Sequence, residues 1–255
     1  MRLKTGEMSI NGVDISAYGA RLLDYSVGAT TMTKAQASSS YCVVPAVFKT
    51  NLGTRPLSIT LSFAPTDNTG WHSIWLNKSN FDALLANNTP VEITLPDGFI
   101  YSAIIDTASN ITPDKTDCFD VTYTLRAIMH LPEKIISPVT ASNNFWLDPK
   151  GTATVNCKIK MVPEQACSTI TVKITNQSAT KVIVPTITFT DVPAGGELVV
   201  DGFNKTVTLN GKNYMGNCDL VTFPLLEPIY SAVYITPAST IAKIATTISY
   251  YPTYV

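Results

Sequence analysis

The chain has 255 residues and a net charge of −1, with 45% hydrophobic and only 15% charged residues. That length suits one large all-β domain or two smaller ones, and neither half has the Lys/Arg excess with which a protein displaces counterions from nucleic acid. No apolar run is long enough to cross a membrane, and MRLKTGEMSING has no apolar stretch behind its basic residues, so no signal peptide is expected there.

Thr and Ser supply much of the polarity, and β-branched side chains fit a pleated surface. The low charge hints at surface covered by partners. Five cysteines, an odd number with no C-x-x-C among them, are expected to be reduced thiols rather than a disulfide framework. Cys157 shares the alternation of Ala153, Val155 and Ile159 in TATVNCKIKM and reads as a small core residue.

In chain order, MSINGVDISAYGARLLDY (8–25) gives an apolar start, an Asn-Gly turn and a strand from Ala20 to Tyr25. GATTMTKAQASSS (28–40) has small polar residues without periodicity and reads as a mobile loop. Leu57, Ile59, Leu61 and Phe63 alternate with Ser58, Thr60 and Ser62, which marks a half-buried strand ended by Pro65. Asp67-Asn68-Thr69-Gly70 is a turn. From Trp71 the period becomes helical, through Ile74, Trp75, Phe81, Leu84 and Leu85, with Ser79 or Asn80 as a cap and Asn87-Asn88 as the end. Trp71 and Trp75 at this spacing read as core rather than as a sugar platform.

Val91, Ile93 and Leu95 form the next strand, and Pro96-Asp97-Gly98 turns it into Phe99–Ile105. Residues 106–120 are polar and predict a protruding hairpin tip. Phe119, Val121, Tyr123, Leu125 and Ala127 then alternate with polar neighbours. LPEKIISPVTASNN (131–144), with two prolines and a polar end, is the best domain boundary. Beyond it only short strands are expected, at 152–161, 169–175, 183–190, 197–201, 205–209, 219–223, 232–236 and 241–251, the spacing of a β-sandwich.

Chemistry is sparse. His72 begins the helical region and His130 closes its strand on the polar face, and neither has a partner ligand at metal spacing. Asp114, Asp117 and Asp120 in PDKTDCFD lack a glycine that would wrap the backbone around Ca²⁺, and read as a solvated tip. G-x-S-x-G and the phosphate-loop patterns are absent. Residues 136–255 contain neither Arg nor His, which weakens a sugar-binding reading that Trp146 and the terminal tyrosines would otherwise permit. No catalytic set, cofactor or metal is expected, so the protein reads as a binder or scaffold and not an enzyme.

The most distinctive stretch is LVVDGFNKTVTLNGKNYMGNCDLVTFP (198–224), two tight reversals in quick succession. Its D-G-x-x-K-x-V hairpin, N-G turn, G-x-x-D pattern and apolar strand ending in proline fall on Asp201, Gly202, Lys205, Val207, Asn210, Gly211, Gly216, Asp219, Phe223 and Pro224. With the N-terminal Ile10, Asn11, Gly12, Val13, Asp14 and Gly19, and the order strands, helix, hairpin, strand, linker, the chain resembles the distal tail proteins (Dit-like tail-tip hubs) of long-tailed phages. Where that family usually places a Gly and an Asn after the proline, this chain has Glu227-Pro228-Ile229-Tyr230-Ser231, so the turn there must differ.

The resemblance implies a mainly all-β protein: a ring-forming β domain with one helix over residues 1–135 and a galectin-like β-sandwich over 136–255. It implies a hexameric ring at the virion tail tip, assembled in the host cytoplasm. That ring would join the tail tube protein to a tail-tip or tail-associated lysin protein and carry receptor-binding proteins, with neither nucleic acid nor membrane as partner. In this picture Asp201, Gly202, Asn204, Asn210, Gly211, Gly216 and Asp219 are structural turn residues: Asn-Gly tolerates positive φ, and Asp201 and Asn204 bond to local backbone. The rival reading is a carbohydrate-binding module or adhesin on the same sandwich.

Overall fold

A computed structural model describes residues 8–37, 46–65, 70–86, 89–109, 112–113, 118–136, 144–238 and 243–255. The chain divides into two compact units, residues 1–130 with Val255 and residues 131–254.

In the first unit, β1 (Ser9–Ile10) and β2 (Val13–Asp14) form a hairpin closed by Asn11 and Gly12, both at positive φ (49° and 78°). The Asp14 carboxylate accepts from Ser16 N at 2.8 Å and starts a short 3₁₀ turn, Ile15–Tyr18, that Gly19 ends at φ 60°. There follow β3 (Ala20–Val27), β4 (Met32–Ala37), β5 (Ala46–Leu52), β6 (Arg55–Phe63), α1 (Trp71–Leu85), β7 (Val91–Thr94), β8 (Ile100–Ala108), β9 (Thr112–Pro113) and β10 (Phe119–His130). One antiparallel sheet runs in the order β2-β1-β7-β8-β10-β6-β3, and β4 and β5 pair with each other as a separate hairpin.

Alternation sets which face of this sheet is covered. Leu57, Ile59, Leu61 and Phe63 of β6 pair with Leu125, Tyr123, Val121 and Phe119 of β10, and all are buried. A side-chain period of two puts the whole set on one face. There Ile74, Phe81 and Leu85 of α1 meet it, Phe81 packing edge-on against Phe63 and tilted against Tyr123. The Tyr123 hydroxyl donates to Asp82 Oδ1 at 2.8 Å, and Lys78 pairs with Asp82 one helical turn away. The opposite face of the same strands carries Ser58, Thr60, Ser62, Thr122 and Thr124.

Several expectations change here. Residues 32–37, expected in a mobile loop, pair with 46–52 as a strand. Residues 38–40 of that loop lie outside the described residues. The helix starts at Trp71, eight residues before Ser79, just after Gly70, whose φ of 62° breaks the chain direction and whose carbonyl accepts from Ser73 Oγ at 2.9 Å; Ser79 and Asn80 lie inside the helix. His130, expected on a polar face, is buried. The strands of the expected 106–120 hairpin are present as β8 and β10, with β9 paired to Phe119 and Asp120; positions 110–111 and 114–117, including Asp114 and Asp117, lie outside the described residues.

The second unit holds β11 (Lys134–Ile136), β12 (Asn144–Leu147), β13 (Val155–Pro163), β14 (Cys167–Asn176), β15 (Val182–Val192), β16 (Leu198–Asp201), β17 (Thr206–Leu209), β18 (Lys212–Asn213), β19 (Leu225–Leu226), β20 (Ser231–Pro237) and β21 (Ile244–Tyr250). One sheet runs β11-β21-β13-β16-β17-β18 with β19 on β13, and a second runs β12-β20-β14-β15. Their inner faces share one core: Cys157, Ile159 and Met161 of β13, Ile170, Val172 and Ile174 of β14, and Val233 and Ile235 of β20. Two sheets over a common core make a β-sandwich. Cys157 is fully buried, and burial pushes its thiol pKa far up, so it is a packing residue. The expected strand at 219–223 is not formed: that segment is irregular, tied to β15 by single contacts, and pairing resumes only at Leu225.

Candidate functional site

The turn residues singled out in sequence lie at one edge of the sandwich, where β16, β17 and β18 reverse twice. In the first reversal β16 and β17 pair up to Asp201↔Thr206. The Asp201 carboxylate accepts from Phe203 N at 2.8 Å, Asn204 N at 2.9 Å and Asn204 Nδ2 at 3.0 Å, with Lys158 Nζ at 4.0 Å. Burial alone would raise its pKa; the bonds from Asn204 and Phe203, with Lys158, outweigh burial and hold it below the ordinary carboxylate range. Gly202 sits in closest contact with neighbouring backbone. A Cβ there would lie 2.5 Å from Pro224 O and 2.6 Å from Cys157 O, while Gly202 N donates to Cys157 O at 3.0 Å.

The second reversal is a two-residue hairpin, Leu209↔Lys212, with Asn210 at φ 50° and Gly211 at φ 76°, the paired positive φ of a type I′ turn. Asn210 Oδ1 also accepts from Glu197 N at 2.9 Å, and Asn210 N donates to Glu197 O at 2.9 Å. Past β18, Tyr214 OH donates to Thr190 O at 2.6 Å. Asp219 N donates to Thr188 O at 3.2 Å, and the Asp219 carboxylate accepts from Thr188 N. The stretch therefore stitches β17 and β18 of one sheet to β15 of the other. Gly216 lies in a 3₁₀ turn, Met215–Asn217, with open space where a Cβ would point, so no contact there demands glycine.

Every carboxylate and amide in this cluster is engaged with the chain itself. These bonds brace the turns and strands of the sandwich, the work of a scaffold. Among the described residues no group of three His, Cys, Asp or Glu gathers as a metal site.

Apolar side chains at the surface are the feature that sequence reasoning misplaced. Trp71 and Trp75, expected in the core, are 41% and 49% exposed, and Leu76 beside them is 54% exposed. The two indoles lean on Phe119, at centroid distances of 6.2 Å and 5.3 Å, and roof it with their outer faces in solvent. On the uncovered face of the sheet Ile104 and Ile128 are exposed as well. In the sandwich, Ile229 and Tyr230 border an open concavity of about 330 Å³ with Asn176, Gln177 and Ser178. The only sequence signal for that concavity was the unusual segment Glu227–Ser231.

Residues 150–254 match the family model of the siphovirus-type tail component, C-terminal domain. The fold of the whole chain is similar to that of the Dit protein (gp 19.1) of phage SPP1, described as a paradigm of the hub adsorption apparatus in phages infecting Gram-positive hosts. The TM-score is 0.73 at 15% identity, covering 98% of this chain and 99% of that one. A chain of the phage P2 baseplate in its activated conformation is also similar, with a TM-score of 0.53 at 10% identity over 93% of this chain and 92% of that one. No curated protein matches in sequence. Residues 150–254 thus match the tail-component family model in sequence, and the whole chain shares the fold of the SPP1 Dit protein.

Proposed function

We propose that the protein is a structural hub of a phage tail tip, or of a related tail-like particle. Copies form a ring, six by the family resemblance, that joins the tail tube to tail-tip, lysin or receptor-binding proteins. The observation that carries this reading is the near end-to-end likeness to the SPP1 hub protein. The surface is consistent with it. The first unit leaves a tryptophan-bearing helix flank and exposed isoleucines on a chain that is only 15% charged, and apolar surface of this kind marks contacts with partners. Among the described residues its sheet ends in the short β2 and in β3, edges that a neighbouring copy can cap. In this role the protein is not an enzyme, and the turn cluster around Asp201 holds the sandwich in shape.

Light scattering on the purified chain, followed by negative-stain images, tests the reading. A closed ring at six times 27.6 kDa supports it. A chain that stays monomeric at high concentration and also fails to join a purified tail tube or tail-tip protein overturns it.

A further inference from the structure

The concavity at the end of the second sheet is built by two adjoining turns. Asn176, the last residue of β14, pairs with Ser231 at the start of β20, and Gln177 N donates to Tyr230 O at 3.0 Å, so the turns after β14 and before β20 are locked side by side. The first turn is braced from within. Asn176 Nδ2 donates to Thr180 Oγ1 at 2.9 Å and to Ser178 Oγ at 3.2 Å, and its Oδ1 accepts from Lys181 N at 2.9 Å. The second turn is braced by the Lys181–Glu227 ion pair.

What remains on the surface is a specific set. Tyr230 and Ile229, 52% and 49% exposed, present an aromatic ring and an aliphatic face. Gln177 and Ser178, also exposed, add an amide and a hydroxyl to the same wall. We propose that this concavity, of about 330 Å³, is a binding site for a neutral saccharide. A sugar ring has a C–H face, which an aromatic ring covers, and a rim of hydroxyls, which amides and hydroxyls satisfy in both directions. The volume lies at the lower end of the range of small-ligand pockets, which suits one or two sugar units. The side chains that line the concavity are all neutral, which disfavours an anionic polymer. Ile229 and Tyr230, which border the concavity, belong to the segment Glu227–Ser231, where this chain departs from the tail-hub pattern it otherwise resembles. The site belongs to this chain's own sequence and does not depend on ring formation.

The test is saturation-transfer NMR and calorimetry on the full chain with chitotriose, cellotriose and maltotriose, beside polyribitol phosphate as an anionic probe. At least one neutral trisaccharide should bind, and Tyr230→Ala should weaken it about five- to tenfold, the size of one lost aromatic contact. Gln177→Ala should weaken it less, and both exposed substitutions should leave the melting temperature unchanged. Trp146, 59% exposed on the neighbouring strand β12, serves as the control. The proposal is overturned by no binding of any of the three up to about 20 mM, by preference for polyribitol phosphate, or by binding that survives Tyr230→Ala but is lost on Trp146→Ala.

Discussion

Asp201 shows how a single carboxylate can be structural and still titrate. Its native pKa lies below the unfolded value of about 3.9. The ionised form therefore stabilises the fold above about pH 4, and that contribution fades as pH falls through the lower native value. Urea midpoints measured at pH 7 and pH 3 should fall further for the wild type than for Asp201→Asn, which keeps an acceptor but cannot ionise. Equal losses in the two proteins would remove the carboxylate from the pH dependence. Gly211 tests the backbone instead. At φ 76° with open space around it, only conformation forbids a side chain, and Gly211→Val should cost about 1–3 kcal/mol in denaturant unfolding. Both residues were legible in sequence because D-G-x-N and N-G carry their turn chemistry locally. Gly216 was not: its place in the motif suggested a constrained turn, yet the structure gives it free space, and no rule of composition separates the two cases.

At the scale of elements, sequence reads best where one face of a strand is covered and the other is not. Leu57–Phe63, Phe119–Ala127 and Val155–Met161 follow this pattern, and each is a strand with its alternating set buried. It reads worst where the partner is distant or the pattern is uniform. Strand β4 is held by pairing to β5, an arrangement that a run of Thr, Ala and Gln does not announce. The start of α1 was misplaced because Gly70 offers no side-chain cap, and spacing alone could not say which side of the helix the sheet covers or that Trp71 and Trp75 would stay outside. Two substitutions probe how these elements are joined. Gly202→Ala forces a Cβ against the carbonyl oxygens of Pro224 and Cys157, which cannot withdraw without breaking the bond from Cys157 N to Pro224 O, 3.1 Å. Unfolding should come about 1–3 kcal/mol sooner, with a matching drop in melting temperature. Tyr123→Phe removes the hydroxyl that ties α1 to β10 through Asp82 and should cost about 1 kcal/mol by the same measurement. No change would mean that α1 is held by its apolar contacts alone.

For the whole molecule, the two units have separate cores, and their residues do not mix. The sandwich core draws on Leu147 through Tyr250, and β11 adds the last strand to its sheet by pairing Lys134, Ile135 and Ile136 with Tyr250, Ser249 and Ile248. Lys134 Nζ also lies 5.8 Å from the centre of the Tyr250 ring. A chain of residues 131–254 expressed alone should therefore unfold in a single cooperative transition. One that begins after Ile136 leaves β21 as a bare edge, and should melt lower and aggregate more readily. If ring contacts reside in the first unit, as the hub reading holds, residues 131–254 should remain monomeric at concentrations where the full chain closes into rings. Light scattering on the two chains side by side decides this: rings built by the sandwich alone would move the assembly surface out of the first unit, and with it the role given to the exposed flank of α1.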